Sequence, residues 1–380
     1  MNPPKPAYFD YAATTPVDPR VAELIMNLMI EEFGNAGSRT HEFGTRAARA
    51  GETARTQVAS VVDADPAEVI FTSGATESDN LAILGLAAHG EAHGLRHIVS
   101  TSIEHKAVLE PLEFLAEKGF TIDLISPNES GAVNADDVLS AVREDTLLVS
   151  VMHVNNETGI RQPLDQIAAG LSDSPTFFHT DAAQGFGKDL APLTNKRLDL
   201  ISISGHKVYA SKGVGALITR RRNRELPPLT PLQRGGGQER GMRPGTLPVN
   251  LVAGLGLSSA LALEEAARRQ KACENTRLHV LELFASLGAE INGDPDLSVP
   301  HIVNASFPGL DSEAVILALR EVLSFSNGSA CTSASYEPSH VLTAMDLSDD
   351  ARRGAIRLSW SHDSVLPDPA LIEKYLKILL

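Results

Sequence analysis

Cysteine is nearly missing from this sequence. Cys273 and Cys331 are the two present among 380 residues, too few for a disulfide framework or a cysteine-rich zinc site, and no metal is expected. Positive charge is also scarce: 33 Lys and Arg stand against 48 Asp and Glu, for a net charge of −15. Such a surface repels phosphate backbones, so direct nucleic-acid binding is not expected. The one dense basic run, Arg220-Arg221-Arg222-Asn223-Arg224, is short, follows an apolar run and reads as a solvated loop. No apolar stretch reaches membrane-spanning length. The proline-rich start, Met1 to Pro6, lacks the apolar core of a signal peptide. The expectation is a soluble protein of a reducing compartment, most simply the cytoplasm.

What is present has ordinary globular balance. Apolar residues make up 43% and charged residues 21%, which argues against disorder. The length suits one large domain and a smaller one. Short apolar runs read as strands at Glu68–Thr72, His97–Thr101, Thr121–Ile125, Leu147–Met152, Thr176–Thr180, Leu200–Ser204 and Gly215–Thr219. Helical patterns such as Lys106–Lys118 and Ala135–Val142 lie between them. This alternation predicts βαβ units, a mostly parallel sheet and helices on both faces. Residues 221–250, rich in Arg, Pro and Gly, read as a long loop. One long helix is expected from Asn250 to about Leu287. A compact α+β tail follows: strand His301–Phe307, helix Ser312–Leu319, loop Ser326–Ser335, strand Ala355–Ser359 and helix Pro369–Leu379. The expected division is an N-terminal segment, 1–20, packed with the small domain, a large domain, 21–255, and the small domain, 256–380.

Several residues sit where chemistry is done. Lys207, in Ser204-Gly205-His206-Lys207 after an apolar strand, can be desolvated for Schiff-base chemistry, although a surface lysine has the same local sequence. Asp181 ends another strand at the carboxyl edge, where open α/β sheets bind ligands. A carboxylate there can keep a pyridinium nitrogen protonated, or it can simply cap a helix. Ser73-Gly74-Ala75-Thr76-Glu77 opens a helix and offers N–H groups to a phosphate, or an ordinary capping box. Cys331 lies among Ser, Gly, Asn and Ala in a loop, which suits a reactive, travelling thiol. Cys273, in the long helix, reads as a structural thiol. Ser204-x-x-Lys207 and Ser78-Asp79-Asn80 imitate serine β-lactamase motifs, but their order is reversed and no Lys-Thr-Gly follows. Gly235-Gly236-Gly237 lacks the spacing of a nucleotide-binding loop.

Taken in order, these pieces resemble the class V, fold-type I enzymes that use pyridoxal 5'-phosphate (PLP), and specifically the cysteine desulfurases. The resemblance runs from Phe9-Asp10-Tyr11-Ala12-Ala13-Thr14-Thr15-Pro16 to Ile356-Arg357-Leu358-Ser359. Its most specific blocks are Phe71 to Ser78, Glu104-His105-Lys106-Ala107-Val108, Met152-His153-Val154-Asn155-Asn156-Glu157, Ser204 to Lys207, and Gly328 to Ser333. It implies an aspartate-aminotransferase-like fold and a reaction in which L-cysteine becomes L-alanine while Cys331 takes the sulfur as a persulfide. It further implies that Lys207 holds PLP and shuttles protons, that Asp181 pairs with the ring nitrogen, and that His105 stacks on the ring as an acid or base. Gln184 and Asn155 would contact the ring oxygen or the substrate. Ala75, Thr76, Ser204 and His206 would hold the phosphate, with Thr246 reaching the phosphate of a neighbouring subunit in a homodimer. Arg357, helped by Asn35, would clamp the substrate carboxylate.

The chain departs from the housekeeping pattern of that family. Gln238 and Pro244 stand where His and Ser are usual, Ala210-Ser211 replaces Gly-Pro, and Trp360-Ser361-His362 follows Arg357. It also stops at Leu380, without the extension that docks an iron–sulfur scaffold. These variants resemble the branch serving DNA phosphorothioation, acting through an acceptor protein. An iron–sulfur or thio-tRNA sulfur donor remains open, as does a selenocysteine lyase or class V aminotransferase.

Overall fold

A computed structural model describes residues 5–328, 339–376 and 379. Cys331 and most of the loop expected at Ser326–Ser335 lie outside the described residues.

The strands are β1 (Ala7–Tyr8), β2 (Val69–Thr72), β3 (His97–Thr101), β4 (Thr121–Ile125), β5 (Thr146–Ser150), β6 (Phe177–Asp181), β7 (Leu200–Ser204), β8 (Gly215–Thr219), β9 (Glu290–Ile291), β10 (Ile302–Ser306), β11 (Leu323–Ser324) and β12 (Ala355–Ser359). Seven form one sheet in the order β2-β8-β7-β6-β5-β3-β4, with β8 antiparallel to both neighbours and the other pairs parallel. Each strand alternates its side chains between two cores. Phe71, Val99, Ile201 and Ile218 join one, and Ile70, Ile98, Leu200 and Leu217 the other. Both faces are buried, which is why these strands read as continuous apolar runs.

The helices are α1 (Pro19–Ile30), α2 (Glu42–Val61), α3 (Ala75–His93), α4 (Lys106–Glu117), α5 (Ala135–Ser140), α6 (Leu164–Gly170), α7 (Val249–Glu264), α8 (Ala266–Ser286), α9 (Ser312–Leu319), α10 (His340–Ala344), α11 (Asp349–Arg353) and α12 (Pro369–Leu376). Helices α2 and α7 contribute Val58 and Val252 to one core of the large sheet; α3 and α4 contribute Leu86 and Leu112 to the other. The sheet is therefore sandwiched. A further core gathers Phe9, Val280, Val303, Leu358 and Trp360 around the antiparallel sheet β12-β10-β9 and the parallel pair β1-β11. The N-terminal segment thus packs with this second unit through Phe9 and β1.

Two expectations are corrected. The single helix across 250–287 is two helices, bent by 73°. Glu265 at the break is non-helical (φ −97°, ψ 6°), and its carboxylate is shared by Arg20, Arg268 and Arg269. Helix α7 still packs on the large sheet, with Ala262 in that sheet's core. The basic run, in turn, is solvated only in part: Arg221, Asn223 and Arg224 are exposed, while Arg220 and Arg222 are held by the fold. Arg220 is 4% exposed and donates to the carbonyls of Val62 and Leu193 at 2.6 and 2.7 Å. Arg222 pairs with Asp199 at 2.6 Å. Val62 ends α2 and Leu193 sits in a short helical turn, so their carbonyls need donors, and the Arg220 guanidinium supplies them.

Candidate active site

A cleft of about 490 Å³ opens at the carboxyl edge of the parallel strands. The ends of β6 and β7 and the start of α3 bring Asp181, Ser204, Ala75 and Thr76 to its wall. His105, His206, Lys207 and Arg357 line the same cleft. Residues more than 280 positions apart in sequence, Ala75 and Arg357, are thereby gathered in one place.

One end of the cleft favours an anion. Helix α3 begins after Gly74 with no side-chain cap, so its first N–H groups and positive dipole end remain for a ligand. Gly215 of β8 must stay small because this turn crosses it closely: a Cβ on Gly215 would lie 2.6 Å from the Gly74 Cα. Glu77 steadies this turn, accepting from Ser73 N at 2.7 Å and from Arg243 Nε at 3.0 Å.

Acids gather at the other end. Asp181 is 7% exposed, and its Oδ1 accepts from Ala183 N at 2.8 Å. Burial pushes its carboxyl up, and nearby Asp79 adds to the push, while Lys207 and His105 oppose it. Asp79 also lines the cleft. It is fully buried, neither of its oxygens has a hydrogen-bond partner among the described residues, and burial raises it to about 7. The buried His179 stands 3.4 Å from Asp79 and is tied to Ser150 and Ser202 at 2.8 and 3.0 Å. Burial lowers that histidine to about 4, so it is a neutral neighbour at pH 7. Lys207 is the cation that offsets these two carboxylates, and a protonated ring nitrogen would add a second. The uncapped helix start and the under-compensated carboxylate together fit PLP: phosphate at one end, pyridinium at the other.

His105 caps α4, its Nδ1 accepting from Ala107 N at 3.1 Å. That bond places the neutral ring's proton on Nε2. Burial lowers its pKa, against the pull of Asp181. His206 is lowered to about 4 by burial, with Lys207 and Lys212 adding to it. Arg357 is 3% exposed. Its guanidinium donates to Asp10 Oδ1 at 2.7 Å, the Asn156 carbonyl at 2.8 Å and Ser326 Oγ at 2.9 Å. Its Nε is buried without a partner.

Four expected residues are placed elsewhere than on this wall. Asn155 is wholly buried, donating to the Ile103 carbonyl at 3.1 Å and accepting from Glu157 N and Thr158 N at 2.9 and 3.0 Å; its neighbour Asn156 lines the cleft. Gln184 donates to the Ala12 carbonyl at 2.9 Å, and its Oε1 has no partner. Asn35 and Thr246 share a separate cavity of about 670 Å³, apart from Arg357. Asp79 and Asp10 were not singled out as site residues. Asp79 follows Ala75 by four positions, so both share one face of α3, and an acid inside an otherwise apolar helix was the available signal. Asp10 carried none, since its partner Arg357 is 347 residues away.

The sequence matches the Aminotransferase class-V family over residues 7–365. It is 44% identical to cysteine desulfurase IscS of Photorhabdus laumondii over 93% of this chain and 87% of that protein. The crystal structure of DndA from Streptomyces lividans is 51% identical and superposes with a TM-score of 0.82, covering 93% of this chain and 99% of that one. The structure described as SspA in complex with cysteine is 36% identical, with a TM-score of 0.82 over 94% of this chain and 100% of that one. The fold, the cleft and these likenesses agree: the chain belongs to the class V aminotransferase family and, within it, to the PLP-dependent cysteine desulfurases.

Proposed function

We propose that the cleft removes sulfur from L-cysteine with Lys207, His105 and Cys331 as its working groups, and that the sulfur goes to an acceptor protein of a phosphorothioation pathway. The observation that carries this reading is the convergence of Lys207, Asp181, His105 and the uncapped start of α3 on one cleft.

When bound, PLP supplies an electron sink for the pair released at the substrate's Cα. Lys207 Nζ anchors the cofactor and moves the proton at Cα. Asp181 holds the ring nitrogen in its charged form. His105 lies against the ring and exchanges protons through Nε2. Ala75, Thr76, Ser204 and His206 hold the phosphate. Gln184, with its unpaired amide oxygen, serves the ring's polar edge, and Asn155 braces the turn carrying Asn156. Arg357 takes the substrate carboxylate, its unpartnered Nε being the donor that Asp10, Ser326 and Asn156 leave over. The Cys331 thiolate attacks the substrate sulfur. An S–S bond forms as the C–S bond breaks; the carbon skeleton takes a proton and leaves as alanine, and Cys331 is left as a persulfide.

The working unit in this reading is a homodimer. Helix α1 exposes Met26, Met29 and Ile30, and Phe33 follows at 66% exposure. This apolar stripe leads directly to Asn35. A two-fold partner would cover it and would carry Asn35 and Thr246 toward the other subunit's cleft, where Thr246 meets phosphate and Asn35 helps Arg357. Identity of 51% to DndA favours phosphorothioation over iron–sulfur supply. No single helix among the described residues is long and apolar enough to cross a membrane, and the buried free thiol of Cys273 suits a reducing cytoplasm.

A single turnover with sulfur-labelled cysteine tests the chemistry. One alanine per site and label on the Cys331 peptide are expected, with label transfer lost in Cys331→Ser. Label on Cys273, or a keto acid in place of alanine, would contradict the reading.

A further inference from the structure

A third cavity lies where the two cores meet. Lys188 enters it from the segment after β6, Cys273 from α8, and Trp360 from the chain just beyond β12. About 30 Å³ is open to the centres of water-sized groups, which is room for one small ion or a water or two.

Two cationic donors and one imidazole nitrogen in its lining have no partner. Lys188 Nζ, Arg269 Nη1 and His301 Nε2 are each shielded from solvent without a hydrogen-bond partner among the described residues. His301 is 4% exposed and Arg269 7%. No carboxylate lines the cavity. The acids around it are already committed: Glu265 to Arg20, Arg268 and Arg269, Asp189 to His153 and Arg161, and Asp363 to His362. Arg269 is thus half-satisfied, through Glu265, while Lys188 has no counter-charge. A buried charge without compensation is costly, and water can fill the donors' geometry without supplying the missing charge. The excess is one positive charge, which calls for a monovalent anion.

We propose that this cavity is a binding site for a small monovalent inorganic anion of the halide class, held by Lys188, Arg269 and His301. Lys188 lies seven residues beyond Asp181, and Trp360 three beyond Arg357. The bound anion therefore ties the segment behind the cofactor's acid to α8 and to the start of β10, which pairs with the strand carrying Arg357. Without it, burial lowers the Lys188 ammonium to about 8; with it, the charged form is retained.

Crystals of the holoenzyme grown in sodium bromide, measured at the bromine absorption edge, test the site. An anomalous peak contacting Lys188 Nζ, Arg269 Nη1 and His301 Nε2 is expected. Water alone there at saturating bromide overturns the proposal. In solution, replacing gluconate by chloride at constant ionic strength is expected to raise the holoenzyme's melting temperature saturably by about 2 °C. Lys188→Arg keeps that rise and Lys188→Met loses it. An equal rise in Lys188→Met, or none in the parent protein, overturns the proposal. Should Lys188→Met fail to fold, the bromide map of the unaltered enzyme decides.

Discussion

Two polar regions of this molecule handle buried charge in opposite ways. In the cavity of Asn35 and Thr246, Arg55 meets Glu239 through two bonds of 2.7 and 2.9 Å. Glu239 also accepts from Phe71 N at 2.8 Å, and Arg55 donates to the Val69 carbonyl at 2.7 Å. The pair locks the long loop of residues 221–250 to the edge of the large sheet, even at the cost of left-handed backbone at Glu239 and Arg240 (φ 47° and 57°). In the cleft, Asp79 has no hydrogen bond of ordinary geometry among the described residues, and Asp181 is pushed toward its neutral form. A matched ion pair fixes structure, whereas charges left short of partners mark where a ligand completes the site.

The sharpest way to break this contrast is to remove the groups on each side of it. Lys207→Ala should lower desulfurase turnover about a thousand-fold or more and abolish the cofactor's visible absorption band, with the far-UV circular dichroism unchanged. Retention of the band on the variant would place the anchor elsewhere. Glu239→Ala should act the other way, costing about 3–5 kcal/mol of stability by stranding Arg55. Urea denaturation followed by fluorescence reads that loss. A variant as stable as the parent would show that the pair is not structural.

Asp79 sharpens the comparison through pH. Its folded-state pKa, about 7, stands above the ordinary 3.8, so between those values the folded state binds more protons than the unfolded one. Its contribution to stability is present below pH 4 and is lost as pH rises toward 7, on the order of 1.4 kcal/mol per pH unit in the cofactor-free protein. Asp79→Asn should remove that slope, measured as the difference in urea midpoints across pH 4.5–7. Parallel profiles for parent and variant would contradict it. The smallest effect belongs to Thr246→Val. It should weaken PLP binding about five-fold, the scale of one hydrogen bond, without shifting the melting temperature of the cofactor-free protein. Unchanged affinity in the dimer would remove Thr246 from the phosphate site.

The sequence made the large sheet legible because its strands are apolar on both faces. β3, β7 and β8 begin and end where their apolar runs do, as does β12 in the smaller sheet. The α7–α8 bend was hidden because it depends on Arg20, 245 residues from Glu265. Partial burial of the basic run was hidden for the same reason: Arg220 answers carbonyls at Val62 and Leu193, which no local pattern announces. Within the cleft, the expected residues at strand and helix ends, Asp181, Ser204, Ala75 and Thr76, lie together because chain direction in a parallel sheet sends those ends to one edge. Asn35 and Thr246 could be placed only once the chain was folded, since they lie apart from Arg357 within one subunit.

Borohydride reduction of the PLP-loaded enzyme, followed by peptide mass spectrometry, tests the account at its centre. The pyridoxyl mass should appear on the peptide carrying Lys207. Its appearance on Lys188, whose amine burial lowers to about 8, or on Lys212 at the cleft's rim, would contradict it.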